Sequence, residues 1–424
     1  MGMETVLGVS LVVVGGLIMG AGAWPMKLMR TFQFEHWWFL AMLFGLVLGP
    51  WAFTLVAFPN FFQVLCDPAV YKSLLVANIL ALCWGVANIL CGICYVRIGI
   101  ALTQAILSGL GVSVVVLTPM IFKAKGGQFE DAPDILSATG EMVLVGVGVM
   151  LIAVVFASLA GFGRDRQLQK LQRTSGSFLG GLIMTVIAGV TSAGLWLAFI
   201  YCEGPIQSRV CVVQNGGEIA LTVRGNAALS GKYLVAPDGS ITLKNAAKSP
   251  AATGSNDPIK VGGLRAKDAA DKIAGVLNLP QTGNRPSVML ATHSVWAVFP
   301  VWAAGAFSGA MLNILYPAFL MTRRRSWGVL LKRWNEVGLS ALIGIQFLAA
   351  LALPGKGMLM LGALGAAIGG GIQQAMQMVG GQGTGFISGE WRGVHGKPRL
   401  QMYASIALLI VAAFIMAYSK TIKQ

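Results

Sequence analysis

Residues 74–96 read LLVANILALCWGVANILCGICYV, and this run decides the fold class. It carries no charge, and its polar side chains are few, chiefly the amides Asn78 and Asn88. A bilayer-spanning helix needs about 20 mostly apolar residues, so the run is long enough to cross. Comparable runs recur, and ten spans are expected over 5–24, 37–57, 74–96, 99–122, 141–162, 177–201, 292–320, 336–353, 358–388 and 401–419. The first reads as a span rather than a cleavable leader, because no Lys or Arg precedes it and no A-x-A site follows. The expected fold is an all-α polytopic membrane protein of ten transmembrane helices with a small α+β extramembrane insertion. Gly370–Gly371 and the run Gly380–Gly381–Gln382–Gly383 are expected helix break points.

Composition agrees. The chain has 424 residues, 56% of them hydrophobic and 11% charged, with a mean hydropathy of +0.72. Soluble domains carry about 25% charged residues, so most of this chain must face lipid or other apolar helices. Its 55 glycines suit close helix packing in a bilayer. Disorder, collagen, coiled coil and a secreted disulfide scaffold are excluded for the whole chain.

The net charge of +15 is distributed as an orientation signal rather than a nucleic-acid footprint. Alternate short connections hold fifteen basic residues in one set, including Lys27, Arg164, Arg324 and Arg399, and six in the other. The richer set belongs in the cytoplasm. Both termini and residues 202–290 are then expected on the outer side of the membrane. Ten helices with termini on one side divide into two inverted halves of five. Gly20–Ala21–Gly22–Ala23–Trp24 and Ser192–Ala193–Gly194–Leu195–Trp196 echo each other at equivalent places. The expected division is 1–201 (first half plus helix six), 202–290 (insertion) and 291–424 (remainder of the second half).

Residues 202–290 hold 16 of the 47 charged residues and no long apolar run. Short strands are expected at 221–224, 232–235, 240–243 and 259–261, with Pro237–Asp238–Gly239 as a turn and an Ala-rich helix over 266–277. The hairpin Tyr233-x-Val235-x-Pro237-Asp238-Gly239-x-Ile241, with the helix after it, resembles the polysaccharide-export domain. That resemblance implies a glycan or envelope partner for the insertion; a structural or docking module is the alternative. Cys202 and Cys211, nine residues apart on the external side, are expected to form a disulfide, with Cys66, also external, as a competing partner. Cys91-x-x-Cys94 reads as helix packing, since no His lies on that helix. His36, His293 and His395 are scattered and offer no metal or catalytic cluster.

All acidic residues are read as lying in loops or at helix ends, which disfavours a charged relay. The polar groups inside the apolar runs are amides, hydroxyls and indoles. Such groups suit a small neutral carbohydrate, hydrogen-bonding its hydroxyls and packing on its C–H faces. Trp84 and Asn88 share one helix face, as do Gln373 and Gln377. Trp37 and Trp38 read as interfacial belt residues.

Gly22-Ala-Trp-Pro-Met-Lys27, Phe34-Glu-His-Trp-Trp38, Gly49-Pro-Trp51, Trp84-Gly-Val-Ala-Asn88, Gly309-Ala-Met-Leu-Asn313 and Gly389-Glu-Trp391 occur in order along both membrane halves. In this the chain resembles the L-rhamnose–proton symporter family of the drug/metabolite transporter superfamily. Typical members lack the insertion. The resemblance implies ten helices in two inverted halves and a secondary transporter, not an enzyme, that moves a sugar with a proton (or Na+) by alternating access. Expected cavity residues are Trp24, Trp84, Asn88, Gln104, Trp196, Asn313, Gln373 and Gln377, with Lys27 and Glu35 as gating or coupling positions. No cofactor or nucleic acid is expected. The rival reading is a non-transporting inner-membrane component of envelope polysaccharide export.

Overall fold

The computed structural model describes residues 3–98, 100–123, 129, 132–168, 178–223, 229, 231–243, 258–279, 288–292, 297–361 and 365–419. It is a helical bundle with a small strand-bearing segment. The helices are α1 (Met3–Ala21), α2 (Phe34–Met42), α3 (Gly49–Ala57), α4 (Phe61–Leu65), α5 (Pro68–Arg97), α6 (Ile100–Ile121), α7 (Ala138–Gln167), α8 (Phe178–Ser192) and α9 (Gly194–Val210). Strands β1 (Glu218–Val223), β2 (Gly231–Leu234), β3 (Ser240–Ile241) and β4 (Ile259–Lys260) follow, then α10 (Ala266–Val276) and β5 (Val288–Thr292). The bundle resumes with α11 (Val298–Gly305), α12 (Phe307–Arg323), α13 (Trp334–Leu361), α14 (Gly365–Ile387) and α15 (Lys397–Ser419).

Local chemistry sets several boundaries. Asp67 caps α5, its carboxylate accepting the Ala69 N–H at 3.0 Å, with Pro68 in the first turn. Ser137 caps α7 through the Gly140 N–H, and Arg164 and Arg166 sit in the last turn where the macrodipole favours cations. A one-turn π segment, Leu43–Leu48, joins α2 to α3. The α11–α12 pair bends by 59° at Ala306. Asn78 of α5 supports that bend: its amide donates to the Ala304 carbonyl at 3.0 Å and its oxygen accepts the Ser308 N–H at 2.9 Å.

Seven helical stretches are long and apolar enough to cross a membrane, and the bent α11–α12 pair brings the number to eight among the described residues. Two expected spans, over α6 and α14, form helices but fall short of that test. For α14 the reason is visible. Residues 371–378 are all buried, so this helix packs against protein nearly all round and tolerates Gln373, Gln374 and Gln377. The expected glycine breaks do not occur; α14 is continuous. A Cβ at Gly380 would lie 2.4 Å from the Leu17 carbonyl oxygen, and one at Gly20 would lie 1.9 Å from that of Gln377. These glycines let α1 and α14 cross backbone to backbone. Helix α13 runs eight residues past its expected end at 353, through Pro354, to Leu361.

Between Val210 and Val298 the described residues form two antiparallel sheets, ordered β2-β1-β5 and β3-β4. Ile219, Leu221 and Val223 alternate inward from β1, and α10 packs against β5. The Pro237–Asp238–Gly239 turn forms as read, with Gly239 at φ +81° and Asp238 accepting from the Ser240 N–H at 3.0 Å. Strand β5 was not expected; its residues had been divided between the insertion and a helix beginning at 292. The insertion also begins later than 202, because α9 continues to Val210.

That continuation corrects the disulfide expectation. Cys202 and Cys211 are both buried, and neither is part of a disulfide. Nine residues of helix at about 1.5 Å rise separate them by roughly 13 Å, whereas bridged Cα atoms lie within about 7 Å.

Candidate functional site

A cleft with about 760 Å³ of empty space, open solvent at its mouth included, lies among α1, α2, α5, α6, α8, α9, α13 and α14. Helix α5 contributes Trp84 and Asn88 one turn apart, as their spacing requires. Trp196 enters from α9, Phe347 from α13, and Gln374 and Gln377 from α14. Trp84 packs against Phe347 with ring centroids 6.3 Å apart. Trp196 meets Trp302 edge-on at 5.4 Å, and Phe199 lies against Trp302 at 4.7 Å.

The amides divide into struts and cavity groups. Asn313 is fully buried: its oxygen accepts from the Trp38 indole at 3.1 Å and the Asn88 amide at 3.0 Å, and its nitrogen donates to the Gly309 carbonyl at 2.9 Å. It stands behind the wall and fixes Asn88, whose own oxygen has no partner among the described residues. Gln373 is likewise buried outside the lining and donates to the Gln377 oxygen at 3.2 Å. The Gln374 oxygen is buried without a hydrogen-bond partner. A buried unpaired carbonyl is costly, so this lining residue supplies an acceptor for a hydroxyl donor.

Of the eight expected cavity residues, Trp84, Asn88, Trp196 and Gln377 line the space, while Asn313 and Gln373 support it. Trp24 does not line it. The chain leaves α1 at Ala21 and turns through Trp24–Leu28 with Pro25 in the first turn, which leaves Trp24 39% exposed; Gly22 and Ala23 take its place. The Gln104 side chain, with His293 and Trp296, lies outside the described residues. Trp37 and Trp38 are corrected: both are 3% exposed and line the cavity, rather than standing in an interfacial belt. Tyr95, Ser192 and Gln374 are further lining residues outside the expected site. The usable signal for Gln374 was its place between Gln373 and Gln377 on a helix short of charges.

Charged contacts gather at the end of the bundle where α1 stops. Lys27 bonds to Glu390 and to Ser388 Oγ at 2.7 Å, and the second Glu390 oxygen holds Arg164 at 3.0 Å. Arg164 also lies 5.5 Å over the Trp391 ring. Glu35, 1% exposed, pairs with Arg324 at 2.8 Å. Glu336 accepts the backbone N–H groups of Arg30, Thr31 and Phe32 at 3.2, 3.1 and 2.6 Å. Each contact joins an early segment of the chain to a late one. At the opposite end, Arg209 of α9 pairs with Asp67 at 2.7 Å. The Ala69 N–H and Arg209 hold the Asp67 carboxyl below its ordinary value.

The family model described as L-rhamnose-proton symport protein matches residues 1–213. L-rhamnose-proton symporters of Yersinia pestis bv. Antiqua (strain Antiqua) and Yersinia pseudotuberculosis serotype O:1b (strain IP 31758) are each 28% identical over 177 residues. The aligned part covers 41% of this chain and 49% and 48% of theirs, so the chain spans about half the length of the curated relatives it matches. No solved structure matches. With half of its length under that family model, and with the family's first-half motifs lining one cavity, the chain belongs to the L-rhamnose-proton symport protein family, a family of transporters rather than enzymes.

Proposed function

We propose that the protein is a multi-pass inner-membrane secondary transporter that moves L-rhamnose or a related neutral carbohydrate together with a proton. The cavity carries this reading. Its indoles offer flat apolar faces, and Asn88, Gln374 and Gln377 offer neutral hydrogen-bonding groups without a fixed charge. That is the chemistry of a polyhydroxylated, uncharged ligand. The names of the relatives supply the proton and the sugar.

In this reading ten spans form two inverted halves that rock about the cavity. The second expected span of each half is interrupted, at Leu43–Leu48 and at Ala306, which supports a paired design. The aromatic packing of Trp196, Phe199 and Trp302 acts as the outer closure. The carboxylate contacts of Glu35, Glu336 and Glu390 act as the inner one, so Lys27 and Glu35 gate the inner side. In the same reading both termini and the insertion are periplasmic, an orientation that the basic-residue asymmetry supports.

Counterflow tests the substrate. Proteoliposomes preloaded with unlabelled L-rhamnose should draw in labelled L-rhamnose, and a charged sugar acid should not compete. Absence of exchange with L-rhamnose and with a panel of neutral deoxysugars would remove the reading.

A further inference from the structure

Among the acidic residues of the long bundle helices, Glu4, Glu35, Glu141 and Glu336 stand in a first turn and Asp165 in a last turn, and Glu203 alone of these stands between. Glu35 and Glu336 are engaged as described, and Glu141 follows the Ser137 cap. Glu203 is different: it sits within α9, seven residues before the helix ends at Val210 and inside the candidate span Gly180–Val210. This corrects the sequence reading that all acids lie in loops or at helix ends. Glu203 has no ion pair or hydrogen bond among the described residues. An ionisable group inside a membrane helix is expensive and marks function by default.

The surroundings point the same way. Trp196, Phe199, Glu203, Ile206 and Val210 follow i+3/i+4/i+7 spacing, so they share one stripe of α9, and the others on it are buried. Two turns, about 10 Å of rise, lead from the cavity residue Trp196 to Glu203. The outer aromatic packing lies between them, since Phe199 contacts Trp302 and is one turn from Glu203. One turn further on, the Gln207 amide nitrogen is buried without a partner. Pro205, inside the helix, cannot donate to the Tyr201 carbonyl. A partnerless carboxyl, an unused amide donor and a released carbonyl thus meet on two turns of one helix.

The charged groups on the packed elements are elsewhere or engaged. On α5, Lys72 is exposed, next to Ser73, whose carbonyl is 3.9 Å from Cys202 Sγ, and Arg97 is at the far end. Tyr71 donates to the Cys66 carbonyl, and Asp67 holds Arg209. On α10, Lys267 pairs with Asp271, Lys272 donates to the Lys260 carbonyl, and Asp268 lies in the first turn. Helices α4, α6, α11 and α14 and strand β5 carry no charged residue.

We propose that Glu203 carries the coupling proton. The carboxylate takes one proton from the outer side and becomes the neutral acid. In that form it can be buried beside the closed aromatic packing, and it releases the same proton inward later in the cycle. Gln207 donates to the charged form when the outer side is open. The proposal rests on the proton-coupled transport reading and names the group that performs the coupling.

The test uses full-length protein in proteoliposomes, with L-rhamnose counterflow and L-rhamnose-induced proton flux measured side by side. Glu203→Gln should keep exchange within about threefold of wild type and lose proton flux and pH-driven accumulation by at least tenfold. Glu203→Asp should restore both. Wild-type coupling that persists in Glu203→Gln would overturn the assignment alone. So would loss of exchange and flux together in both variants. Wild-type protein that moves no sugar would overturn the transport reading, and the assignment with it. A hydrophobic carbodiimide, which attacks protonated carboxyls, should modify Glu203 in the wild-type protein at low pH and less at high pH. No modification at either pH would overturn the assignment even if the variants do not fold.

Discussion

Asn88 and Asn313 show how two identical amides take different roles. Asn313 is fully buried and saturated by Trp38, Asn88 and backbone carbonyls. Asn88 spends its nitrogen on Asn313 and leaves its oxygen on the cavity side. A hydrogen bond between an amide and a hydroxyl contributes about 0.5–1.5 kcal/mol net. Asn88→Ala should therefore weaken apparent L-rhamnose affinity roughly 2- to 10-fold, and Trp84→Ala at least as much. Binding to purified variants, with melting temperature measured alongside, checks this; unchanged affinity removes these residues from the site. Asn313→Ala should instead lower melting temperature first. Asp67 gives a pH prediction. Its folded-state value is depressed, chiefly by the Ala69 N–H cap and then by Arg209, so its contribution is present above the ordinary carboxylate value and is lost as pH falls through the folded value. Asp67→Asn should lower melting temperature at pH 7, with the gap from wild type closing below about pH 3.8. At this scale the sequence revealed Trp84, Asn88, Trp196 and Gln377 because each is polar or aromatic within an otherwise apolar run. It misled on Trp37 and Trp38: an indole near a span end looks the same whether it faces lipid or a cavity, and only the packing against Phe34 and Asn313 separates the two.

The elements follow apolar length, capping and glycine placement. Short strands and the turn in the insertion were legible because their side chains alternate and Gly239 adopts the left-handed conformation the turn requires. The α9 extension to Val210 was not, since Glu203, Gln207 and Arg209 resemble the start of a soluble segment. The disulfide expectation failed with it. Glycine in α14 was misread as helix-breaking; it serves close approach instead. Gly20→Leu would drive a side chain into the Gln377 carbonyl, where overpacking costs about 1–3 kcal/mol or more. Its melting temperature should fall well below that of a Leu substitution at Gly148, which has nothing within 4 Å of its Cβ position. Equal melting temperatures would contradict the backbone crossing of α1 and α14.

At the scale of the whole molecule, hydropathy and loop charge were enough for a polytopic helical protein, and ordered motifs for its family. They could not separate the central α14 from a poorer candidate span, because a helix surrounded by protein need not be apolar. The proposed orientation puts the insertion outside the inner membrane. A cysteine replacing the exposed Val276 of α10, in a background with Cys66 and Cys83 changed to Ser, should react with a membrane-impermeant maleimide in intact spheroplasts. Reaction only after lysis would reverse the topology. The central claim is that sugar and proton cross together through the cavity beside Trp84 and Trp196. It is tested most directly by adding L-rhamnose to lightly buffered proteoliposomes of the purified protein and recording external pH. Alkalinisation that depends on L-rhamnose and is abolished by a protonophore is the predicted result; an external pH indifferent to L-rhamnose, in vesicles that exchange the labelled sugar, would contradict it.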